Sequence, residues 1–70
     1  MLGNSITPDD LELTKYWIRN FILAQRLGVK PDVPREVISK LNGLWAHDDY
    51  LHAEYRMLWR QIDEELNNAP

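Results

Sequence analysis

From Val37 onward, the apolar residues of this chain fall at positions 37, 41, 44, 51, 55, 58, 62 and 66. Steps of three and four are the period of one helix face, and the only missed step falls at Asp48. No stretch alternates with period two over a useful length, so strands have no pattern to form from. The expected fold is all-α: a small three-helix bundle, or a helical hairpin whose long second helix is either continuous or broken near Asp48. The break is preferred. Asn42-Gly43 reads as a turn in isolation, yet it lies opposite the apolar stripe, where a helical glycine costs only about 1 kcal/mol.

Local signals set the remaining boundaries. Thr7-Pro8-Asp9-Asp10 is a strong helix start: Thr7 can accept from an orphan amide, Pro8 suits the first helical position, and two acids complement the positive end of the helix dipole. The first helix therefore begins at Pro8 and runs to Leu27, with Gly28 as its left-handed stop and Arg26 in its last turn. Pro31 and Pro34 stiffen the connector, and Pro34 opens the second helix. Helices are expected over about 8–27, 34–46 and 48–66 in one domain spanning 8–67. Residues 1–7 and 68–70 are tails, with "NNAP" ending the last helix.

Seventy residues bury only roughly 60% of their unfolded surface, so a chain of this length calls for reinforcement. It has no cysteine, which removes disulfides and thiolate metal sites and fits a reducing, cytoplasmic setting. The start "MLGNSITPDD" has neither a basic opening nor an apolar run, and no segment suits a membrane span. Residues 1–34 carry four acids and four bases, and residues 35–70 carry seven acids and four bases, for a net charge of −3. That balance disfavours nucleic acid as a partner and is too weak for a DNA-mimicking acidic surface.

Chemistry has one place to gather, "HDDYLH" at His47 to His52. Asp48 and His52 are four apart and Asp49 and His52 three apart, so one carboxylate and one imidazole could share an ion. Two ligands do not make a site. The simpler account has Asp48 or Asp49 capping the third helix, which explains an acid within an apolar stripe. If Asp48 starts a helix, His52 is a first-turn surface residue; within a continuous helix Asp48 would need a partner. The hydroxyls Ser5, Thr7, Thr14 and Ser39 show no spacing that ties them to a histidine, and the three glycines are isolated. No catalytic residue, metal, cofactor or small-molecule substrate is expected, and the chain reads as a non-enzyme.

The first helix carries more. Leu11, Trp17, Ile18, Phe21 and Ile22 form one face, while Leu13, Tyr16, Leu23, Ala24 and Leu27 form another, leaving a polar strip only about sixty degrees wide. Positions 13, 16, 20, 23 and 27 follow the three-four alternation of a coiled-coil seam, with Asn20 where a polar residue fixes register. Leu13, Tyr16, Asn20, Leu23 and Leu27 are thus the candidate partner-binding face, most simply of a homodimer. In a three-helix bundle a helix packed on two neighbours is also apolar over half its circumference. Tyr50 and Met57, flanked by Ala46 and Ala53 on the last helix, form a second candidate patch. Trp17, Trp45 and Trp59 read as core aromatics, and Asp63 to Glu65 as a solvated face with Arg60 four before Glu64. The alternative function is a small nucleic-acid-associated regulator using Lys15, Arg19 and Arg26 on one stripe, with Lys30 just beyond.

The segment "DLELTKYWIRNFILAQRLGVKPDVPREVISKL", Asp10 to Leu41, resembles small helical proteins of actinobacterial phages in its helix ending at Gln25-Arg26-Leu27-Gly28, proline-bearing link and second helix. The resemblance implies a phage product, accessory or host-modulating, acting in a bacterial cytoplasm, and it carries over no reaction or catalytic residue.

Overall fold

The structure, a computed structural model, describes residues 6–46 and 49–68. Three helices account for nearly all of them: α1 (Pro8–Leu27), α2 (Arg35–Trp45) and α3 (Asp49–Asn68), with no strand among the described residues.

The ends of α1 are built by the residues that signal them. Thr7 is the N-cap, its Oγ1 accepting from the Asp10 amide at 3.1 Å, and Pro8 follows as the first helical residue. At the other end Gly28 adopts φ 72°, ψ 25°. Its N–H donates to the Gln25 carbonyl at 3.2 Å and that of Val29 to the Ala24 carbonyl at 3.0 Å, which is a Schellman closure.

Pro34 differs from expectation by one position. It precedes α2 as its N-cap, with ψ 143°, because an extended ψ excludes it from the helix while its carbonyl accepts from Val37 and Ile38. Asn42 and Gly43 are helical, and α2 ends at Trp45 with the Ala46 N–H donating to Asn42. α3 spans Asp49–Asn68, so α2 and α3 are separate helices, as preferred, and α3 runs through both asparagines, two residues past the expected end at 66. Asn67 is held at this end by a tertiary contact, its Oδ1 accepting from Arg26 at 2.6 Å.

α1 lies chiefly against α3, and α2 folds back against α3. The core is Ile18, Ile22 and Ile62, with Tyr55, Leu58, Trp59 and Leu66 packed around it. Leu41 and Trp45 bring α2 in, and Trp45 alone of the three tryptophans is fully buried. A polar residue sits among these apolar ones. Thr14 is 0% exposed; its hydroxyl donates to the Asp10 carbonyl at 2.7 Å and accepts from the Trp45 indole at 2.9 Å. Both hydrogen-bonding capacities of the hydroxyl are thereby used, as burial demands.

Two ion pairs between helices tie the rim. Arg26 reaches Asp63 at 2.6 Å, joining the C-terminal ends of α1 and α3, and Lys40 approaches Asp10 at 3.6 Å, holding α2 to the start of α1. The radius of gyration is 12.8 Å, against about 11 Å for a compact domain of this length.

Candidate interaction surfaces

α1 buries Thr14, Ile18 and Ile22, and one hundred degrees per residue sets the stripe 13-16-20-23-27 on the opposite side of the helix. Leu13 and Asn20 are half-buried, whereas Tyr16, Leu23 and Leu27 are 55%, 43% and 77% exposed. Asn20 turns its amide N–H to the Tyr16 carbonyl at 2.8 Å, within its own helix. Ala24, expected on this face, is instead buried.

On α3, Tyr50 and Met57 are 72% and 65% exposed, with Ala53 beside them also exposed. Ala46 lies outside α3, as the exposed C-cap of α2.

Two of the basic residues of α1 have acidic partners. Lys15 pairs with Glu12 at 3.8 Å and Arg26 is committed to Asp63 and Asn67, which leaves Arg19 on the helix and Lys30 in the connector as exposed cations.

Within "HDDYLH", His47 and Asp48 lie outside the described residues, so capping by Asp48 cannot be placed. Asp49 opens α3 in its first turn, and His52 is exposed in that same turn. Among the described residues no group of three histidines or acids converges. No described helix is long and apolar enough to cross a membrane.

A hollow that the periodicity did not mark lies where the three helices meet. Phe21 of α1, Ile38, Leu41 and Trp45 of α2 and Tyr55 of α3 line a cavity of about 240 Å³, to which Asn42 and His52 add polar groups. Burial pushes the Tyr55 phenol above its ordinary pKa, so it is neutral throughout the physiological range. His52 and Tyr55 also line a second hollow, which continues along α3 past Trp59 to Arg56 and Arg60. The signals were present but dispersed. Ile38 is an apolar residue off the core stripe, and His52, Arg56 and Arg60 repeat every four positions.

Comparison with family models, curated proteins and solved structures found no match.

Proposed function

We propose that the chain is a non-enzymatic protein–protein interaction module that self-associates through the outer face of α1. The observation that carries this is the stripe Leu13, Tyr16, Asn20, Leu23 and Leu27 on the side of α1 opposite its buried residues: Tyr16, Leu23 and Leu27 stand exposed there, while Leu13 and Asn20 are half-buried. A monomer has no use for three exposed large apolar side chains on one helix face, whereas a second copy gains roughly 25 cal/mol for each Å² they bury. The three-four spacing suits helix pairing, and Asn20 at its centre selects register at a cost in stability. Tyr50 and Met57 offer a smaller patch for the same kind of contact. The nucleic-acid alternative draws less support, since two of its four cations already have acidic partners. The resemblance of Asp10 to Leu41 suggests a phage-encoded accessory or host-modulating protein of the bacterial cytoplasm as the setting.

Sedimentation equilibrium tests the reading. The wild type is expected to approach twice its chain mass of 8.3 kDa as concentration rises, and Leu23→Asp to remain at the single mass while keeping its helical circular dichroism. Asn20→Leu is expected to associate more tightly but into a mixture of sizes. A wild type that stays at 8.3 kDa at millimolar concentration overturns the proposal.

A further inference from the structure

We infer that the face formed by His52, Arg56 and Arg60 of α3, together with the cavity beside it, is a second docking site, and that its occupant is an acidic amphipathic segment of another protein. The face does not depend on the α1 seam. His52, Arg56 and Arg60 recur every four residues, so they line one side of α3 and span about 12 Å of its length.

Among the described residues neither arginine has an ion-pair partner. The ion pairs among the described residues are Lys15 with Glu12, Arg26 with Asp63 and Lys40 with Asp10, and none involves Arg56 or Arg60. Asp49 shares a hollow with both arginines, and Glu64 and Glu65 share one with Arg60, yet none of these acids comes within ion-pair distance. In a chain of net charge −3, two guanidiniums on one helix face with no ion-pair partner among the described residues are suited to carboxylates about one helical turn apart.

The other half of the site is apolar. The cavity of about 240 Å³ is lined by Phe21, Ile38, Leu41, Trp45 and Tyr55, and it meets the cationic ridge at His52 and Tyr55. Ile38 stands 48% exposed on its lining. One large apolar side chain fits such a volume, and desolvated anchors of this kind carry most of the energy in an interface. The arrangement therefore specifies spacing as well as chemistry: an apolar anchor, with acids about four and eight helical positions away. A single-stranded nucleic acid would also bring negative charge, but it needs free aromatic faces for base stacking. Here Tyr55 packs against Trp45 and Trp59 at 6.0 and 6.3 Å, and Trp59 stacks on Phe21 at 6.2 Å.

The probe is a labelled alanine-based helical peptide with one central leucine and glutamates four and eight positions to either side, which presents the pattern in both chain directions. Fluorescence anisotropy at low salt is expected to show binding that weakens at least about tenfold for Arg56→Gln/Arg60→Gln, and similarly when the leucine is replaced by alanine. Both arginines are exposed, so the double variant should fold; unchanged circular dichroism checks this. Leu23→Asp is expected to bind as the wild type does, which separates this site from the α1 seam. Four results overturn the inference: no binding at millimolar protein, equal binding of the lysine counterpart, an unchanged double variant, or tighter binding of a twelve-residue oligothymidylate.

Discussion

Gly28 holds φ at 72°, a conformation that costs an L side chain roughly 1–2 kcal/mol, while Gly43 sits inside α2. A Cβ at either position meets nothing within 4 Å, so only backbone preference decides the effect of alanine. Gly28→Ala is expected to destabilise by about 1–2 kcal/mol and Gly43→Ala to stabilise by up to about 1 kcal/mol, a difference in sign that urea midpoints resolve. Thr14 responds to chemistry rather than to backbone. Thr14→Val keeps its shape but leaves the buried Trp45 indole N–H without an acceptor, at an expected cost of about 1–3 kcal/mol. Thr14→Ser keeps the hydroxyl and should lose less, and a shifted tryptophan emission in the valine variant alone would place the effect at Trp45.

The helices themselves were legible in the sequence wherever a local rule governs them. Thr7, Pro8 and Gly28 bracket α1 because capping is a contact between residues three to five apart, and the one missed step in the apolar stripe falls between the end of α2 at Trp45 and the start of α3 at Asp49. What escaped was non-local. Thr14 looks like any solvated hydroxyl until Trp45, thirty-one residues away, supplies the donor, and the contact that ties Asn67 to Arg26 at the end of α1 spans forty-one residues. The cavity escaped for the same reason, its lining drawn from three helices at once. Whether the α1 stripe meets a partner is equally non-local, since the sequence encodes that it is apolar and not what covers it. Asp10 shows how such links couple elements. Hydrogen bonding with Thr7 holds its carboxyl below the ordinary value, against a smaller opposing effect of burial, and Lys40 of α2 lowers it further. A carboxylate depressed in the folded state contributes stability that is full above its ordinary pKa and is lost as pH falls through the folded one. Between pH 5 and 3, monitored by thermal melts, the wild type is therefore expected to lose more stability than Asp10→Asn, which has no proton to take up; equal losses would remove Asp10 as the coupling group.

At the scale of the whole molecule few large apolar side chains are enclosed among the described residues. Ile18, Ile22, Leu41, Trp45 and Ile62 are the only large apolar side chains buried among the described residues, while seven others, from Tyr16 to Met57, stand in solvent. A single chain so built is marginal, and association that buries the α1 stripe couples assembly to stability, because whatever binds only the folded state stabilises it by mass action. The melting temperature of the wild type is accordingly expected to climb with protein concentration, by several degrees over a hundredfold range, since each kcal/mol moves a domain of this size by roughly 4–8 °C. Leu23→Asp removes an apolar side chain that is 43% exposed in the monomer, so its melting temperature, whatever its value at high dilution, should fail to rise with concentration as the wild type's does. Parallel melting curves at every concentration would mean that the open face of α1 contributes nothing to stability, and the two proteins would then differ only in the charge they present to solvent.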